Sequence, residues 1–104
     1  MRNYEVMVII DPDTDERQVN PILEQHTKVI TESGGTIDTT DVWGKRRLAY
    51  EINKKSEGIY AVLNLSAEPD AVKEMDRLFT IDERVMRTKV IRPAVEKKKH
   101  QKKS

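Results

Sequence analysis

The residues able to do covalent or metal chemistry are few, and their spacing argues against it. The 104 residues include two histidines and no cysteine, which excludes thiolate catalysis, disulfides and Cys-based zinc sites. His26 falls on the apolar stripe of a helical pattern, where a buried structural imidazole is the better reading than a general base, and His100 sits in a lysine run. The carboxylates Asp11, Asp13, Asp15 and Glu16 crowd a turn and a helix start, where acidic side chains act as turn and cap residues. No histidine joins them at metal-ligand spacing. Gly34 and Gly35 follow a helix, and the C-terminal end of a helix repels anions, so they make no phosphate cradle. A small hydrolase on a split β-α-β scaffold would need one of these features, and fold alone does not supply it. No catalysis, cofactor, metal or small-molecule substrate is expected. The remaining chemistry is cationic. In "WGKRRLAYEI", Trp43 to Ile52, three like charges stand side by side; they repel, and a strand cannot turn all three to one face. Something outside the chain should balance them.

The formal charge of +1 conceals an asymmetry. Residues 93–104 hold five lysines and one glutamate, leaving 14 Lys+Arg against 17 Asp+Glu in residues 1–92. A basic tail with little to bury is expected to be disordered when free and to make salt-sensitive contacts to a polyanion. The expected division is therefore a folded domain over 1–93 and a tail over 94–104. Neither a signal peptide nor a membrane span is expected from the sequence, which fits a soluble protein of a reducing cytoplasm.

Positioning falls to six elements. "YEVMVII" reads as a strand closed by the turn "DPD". Val19, Ile22, Leu23, His26, Val29 and Ile30 recur at helical spacing until Gly34 and Gly35 stop the pattern. Pro21 leaves two starts open: Asn20 as the cap, or an earlier start, with Asp13 and Glu16 as a capping box, and a bend. Thr36 to Ile52 is β-prone throughout, with Gly44 suggesting a bulge. "NKKSEG" is turn-like, and Ile59 to Ser66 makes a hairpin with the preceding run. Pro69 opens a second helix carrying Val72, Met75, Leu78 and Phe79, and Glu83 to Arg92 gives a last strand. The order β, α, β, β, α, β predicts an α+β, ferredoxin-like split sandwich: a four-stranded antiparallel sheet with both helices on one face.

In that fold one phase of each strand faces the helices. Val6, Val8 and Ile10 are assigned inward, with Ala61, Leu63 and Leu65 and with Met86, Thr88 and Val90. The outward phase is not polar, as a solvated face should be. Met7, Ile9, Tyr60, Val62 and Ile91 share it with Glu5, Arg87 and Lys89, and an apolar centre with a cationic rim suits a docking surface.

Residues 1 to 93 resemble the ribosomal protein six family, the sixth protein of the bacterial small ribosomal subunit. The resemblance rests on "MRNYEVMVIIDPD", "WGKRRLAYEINKKSEGIYAVLNL" and "VMRTKVIRP". It implies a structural ribonucleoprotein component of the cytoplasmic ribosome, bound to the central domain of small-subunit ribosomal RNA together with the eighteenth small-subunit protein. On that reading Arg2, Arg87, Lys89 and Arg92, with Lys97, Lys98 and Lys99 of the tail, are the RNA candidates. Tyr4 is added as a stacking ring, although its phase, shared with Val6, points inward. Met7, Ile9, Trp43, Lys45, Arg46, Arg47, Tyr50, Tyr60 and Val62 are the candidates for the protein partner, and the free chain is expected to be a monomer. The alternative is a ferredoxin-like RNA-binding or protein-interaction module outside the ribosome. A base-stacking platform is disfavoured, since Met7 and Ile9 stand where exposed rings would be needed.

Overall fold

Alternation along the first strand puts valines on one side and longer side chains on the other, and the sheet forms around that division. The computed structural model describes residues 2–52 and 54–91. It contains β1 (Arg2–Ile10), α1 (Glu16–Glu32), β2 (Thr36–Ile52), β3 (Lys55–Ala67), α2 (Pro69–Ile81) and β4 (Val85–Ile91). The sheet order is β2-β3-β1-β4 with every neighbouring pair antiparallel, the ferredoxin-like α+β arrangement expected from the element order. Val6, Val8 and Ile10 meet Ala61, Leu63 and Leu65 under Ile22, Leu23 and Ile30 of α1 and Met75 and Phe79 of α2. Burying a side chain such as Phe79 contributes about 1.5–3 kcal/mol.

Helix α1 takes the earlier of its two possible starts. Asp15, not Asp13 or Asn20, is the N-cap and accepts from the Arg17 backbone N–H at 2.9 Å. Pro21 then lies inside the helix, on its exposed side, where water can serve the Arg17 carbonyl that proline leaves without a donor. At the other end Gly34 adopts φ 95°, and the Gly35 N–H closes on the Ile30 carbonyl at 2.8 Å. Glycine reaches that left-handed geometry without a Cβ penalty.

The strands differ from the sequence expectation in extent and register: β1 starts at Arg2 rather than Tyr4, and β4 at Val85 rather than Glu83. β3 begins at Lys55, so Ser56 to Gly58 are strand and not turn, with Ile52 pairing Lys55 across the reversal. Lys54 at φ 66° makes that reversal tight. In β4 the register slips between Ile9 and Ile10, so that Ile9 faces Arg87 and Ile10 faces Val85. Met86 is therefore the extra residue of a bulge and only half-buried, and Val85 fills the core position assigned to it.

One polar cluster holds the helical layer to the β4 side. His26 is 6 % exposed, with its ring edge-on to Phe79 at 4.9 Å. Its Nε2 is hydrogen-bonded to Asp82 Oδ2 at 2.6 Å. Arg84 donates to the same carboxylate from its backbone N–H at 2.9 Å, from Nε at 3.0 Å and from Nη2 at 2.8 Å. These bonds, Arg84's first and His26's after, hold the Asp82 carboxyl far below the usual carboxylate range in spite of burial. His26 is thus a buried structural imidazole.

Candidate protein and nucleic-acid interface

The face of the sheet away from the helices divides into two ends. Around the start of β1 it is polar: Asn3 and Asp38 accept from the Ser66 hydroxyl, and Thr39 Oγ1 accepts from Asn64. Toward the end of β1 it is apolar, because Met7 pairs Val62 and Ile9 pairs Tyr60 on β3. β4 borders this end with Lys89 opposite Met7 and Arg87 opposite Ile9. The apolar centre and cationic border read from strand phase therefore lie on one surface.

β2 adds the rest through its irregularities. Its pairing with β3 slips at three places, between Ile37 and Thr39, Val42 and Gly44, and Arg47 and Ile52. At the second, Gly44 adopts φ 89° with open space where a Cβ would stand, and the neighbouring Trp43 stacks parallel on Tyr60 at 6.2 Å. Alternation resumes past this bulge. Arg46 pairs Gly58 and so takes the outward phase of Tyr60, whereas Lys45 pairs Ile59 and Arg47 pairs Glu57 in the helix-side phase. The Asp13 carboxyl is held below its usual value first by Lys55, through its hydrogen bond and charge, and last by the charge of Lys45. The triplet is therefore split, one cation outward and two toward the helix side. Lys45, Arg46, Arg47 and Lys89 form no ion pair among the described residues, unlike Arg17, Lys55, Arg77 and Arg84.

Beyond Arg46 the β2–β3 hairpin folds back over the sheet, a feature that the linear reading missed. Leu48, 8 % exposed, reaches the outer face at Gly58, where a Cβ would overlap Ile9 Cγ2 and stand 3.6 Å from Leu48 Cδ2. Tyr50 continues to β4: its hydroxyl accepts from Arg87 Nη1, and the Arg87 guanidinium carbon lies 5.8 Å from its ring centroid. Between hairpin and sheet is a cleft of about 470 Å³, bordered by Met7, Ile9, Tyr50, Tyr60, Arg87 and Lys89. The signal for this arrangement was the alternation of Arg46, Leu48, Tyr50 and Ile52 in one phase.

Several site expectations need correction. Tyr4 is 6 % exposed and belongs to the core, so its ring is closed to base stacking. Arg2 pairs Ala67 in the inward phase, roughly 17 Å along β1 from the row of Lys89, so it does not join Arg87 and Lys89. Ile9 and Val62, at 7 % and 6 % exposed, offer little surface directly. Met7 and Tyr60 are half-buried, and Trp43, Arg46 and Tyr50 are exposed. Arg92, Lys97, Lys98 and Lys99 lie outside the described residues.

The fold and this face together define a ferredoxin-like α+β domain whose apolar sheet surface is bordered by Arg46, Arg87 and Lys89. The chain matches the family described as Ribosomal protein S6 over residues 3–92. It is 61% identical over 95 residues to small ribosomal subunit protein bS6 of Cutibacterium acnes, covering 91% of this chain and 99% of that protein. The bS6 of Beutenbergia cavernae is 60% identical over 93 residues, covering 89% and 97%. The crystal structure of 30S ribosomal protein S6 from Thermotoga maritima aligns with TM-score 0.81 at 30% identity, covering 99% of this chain and 98% of that one. This chain belongs to the ribosomal protein S6 family. Its place is accordingly the bacterial cytoplasmic ribosome, and among the described residues no helix is long and apolar enough to cross a membrane.

Proposed function

We propose that this chain is a non-catalytic structural component of the small ribosomal subunit that binds the central domain of small-subunit ribosomal RNA together with the eighteenth small-subunit protein. The observation that carries the reading is the outer sheet face, where Met7, Tyr60, Trp43 and Tyr50 stand beside Arg46, Arg87 and Lys89. An apolar patch of this kind gains free energy when a partner removes it from water, and Arg and Lys at its border add phosphate contacts that fix position. The protein partner sits on the apolar end in this reading, and RNA lies along β4, against Arg87 and Lys89, and along the lysines of the 94–104 tail. Lys45 and Arg47, on the other side of β2, serve the partner or RNA only beyond the edge of the sheet. Phosphate contacts supply salt-dependent affinity, and the partner's surface supplies most of the specificity.

The test is to measure binding of the free chain to a central-domain RNA fragment, with and without the partner protein, at moderate salt. The expected result is a monomer that binds RNA weakly alone, because residues 1–92 are net acidic, and tightly once the partner is added. Nanomolar binding to the naked RNA without the partner would overturn the reading.

A further inference from the structure

The outer face is covered by the chain's own hairpin. Leu48 is buried near Gly58, on the same side as Ile9, and the folded-back hairpin brings Tyr50 of the edge strand β2 to Arg87 on the other edge strand, β4. The Arg87 guanidinium has one donor on the Tyr50 hydroxyl and lies against the same ring. We propose that the β2–β3 hairpin is a clasp latched by Tyr50 and Arg87, so that seating a protein partner on this face and releasing Arg87 for an RNA phosphate are one event. The inference rests on the reading of this face as the partner and RNA surface.

The contacts compete. Tyr50 walls the cleft beside Arg87, so a partner side chain entering there meets its ring, and a guanidinium engaged by Tyr50 has fewer donors for a bidentate phosphate contact. Lys89 is the internal control. It stands one row along β4, opposite Met7, and makes no hydrogen bond or ion pair among the described residues, so it is available whether the clasp is open or closed. The chain without its partner therefore presents Lys89 to RNA freely and Arg87 with one donor and one face already engaged. One exposed cation–π contact with one hydrogen bond favours the closed form by about three- to tenfold, and an affinity that requires the open form falls by the same factor.

The test uses Tyr50→Leu, which removes hydroxyl and ring, and the milder Tyr50→Phe, which removes only the hydroxyl. Amide hydrogen exchange of Arg46–Ile52 and Lys54–Glu57 reads opening, and thermal melts verify that the sheet remains folded. Binding of the partner-free chain to a central-domain RNA fragment is measured across a salt series. Tyr50→Leu is expected to speed exchange in the hairpin alone, to tighten RNA binding about three- to fivefold and to steepen the salt slope by about one contact. Tyr50→Phe should show a smaller change in the same direction. The gain should vanish in an Arg87→Ala background and persist in a Lys89→Ala background. An unchanged salt slope in both Tyr50 variants, or a gain that survives Arg87→Ala, would overturn the clasp. If the wild-type chain fails to bind this RNA even with its partner, the proposed function fails; if it binds and the Tyr50 variants behave as wild type, the clasp alone fails.

Discussion

Replacing Asp82 by asparagine should destabilise the fold most near neutral pH and least in acid. Four donors converge on this carboxylate: Oδ1 takes the Arg84 backbone N–H and Nε, and Oδ2 takes His26 Nε2 and Arg84 Nη2. An asparagine keeps one acceptor oxygen and turns an NH2 group toward the other pair of donors. Arg84 cannot accept from it, so at least one charge-assisted bond is lost, together with the attraction to the guanidinium. Hydrogen bonds to charged groups contribute about 1.5–3 kcal/mol each. Because Arg84 is partly solvent-exposed, the lower part of that range applies, giving about 2 kcal/mol and roughly 8–16 °C in Tm for a domain of this size. Asp82 has a folded pKa depressed below its ordinary value of 3.8. Its contribution is therefore complete above the unfolded pKa and is lost as pH falls from roughly 5 toward the folded value. Urea melts of wild type and Asp82→Asn from pH 7 down to pH 3 should show a gap that narrows with acidity, the wild-type curve falling more steeply. A constant gap across that range, or a difference under about 0.5 kcal/mol at pH 7, would refute the linkage argument.

Gly35→Ala should cost about 1–3 kcal/mol in a denaturant melt, because its Cβ would stand 2.5 Å from the Ser66 carbonyl oxygen and 2.9 Å from Ile30 Cγ2. Gly44→Ala has open space and should lose only the roughly 1–2 kcal/mol of a left-handed backbone. Lys89→Ala should lower RNA association of the partner complex and reduce its salt slope by about one, with a folding change within about 0.5 kcal/mol by thermal melt. Truncation after residue 93 should leave partner affinity unchanged by calorimetry and weaken subunit assembly modestly, with a shallower salt slope, since it removes five lysines.

The sheet order and both faces were legible because Val6, Val8 and Ile10 alternate with Met7 and Ile9, and because Val19 to Ile30 keep helical spacing. Both limits of β2, Thr36 and Ile52, were readable from its β-prone composition, and the start of α2 from Pro69. Other features lie in relations that periodicity does not carry. The bulge opposite Ile9 replaced Met86 by Val85, and a one-residue slip leaves composition unchanged. Tyr50 meets Arg87 across 37 positions, and His26 meets Asp82 across 56; such pairs follow from the fold. Tyr4 had an inward phase in the sequence, and that phase, not its aromatic chemistry, governs where its ring lies.

The position of β1 has a consequence for how the chain emerges during synthesis. It is made first, yet it is a central strand whose neighbours are β3 and β4, and β4 is the last strand of the sheet. At roughly 5–20 residues per second, Val85 follows Ile10 by about 4–15 s. Throughout that interval one side of a valine- and isoleucine-rich strand has no native neighbour, so the nascent chain carries an open ladder edge until β4 is made. Slower translation between α1 and β4 lengthens that exposure, and faster completion shortens it.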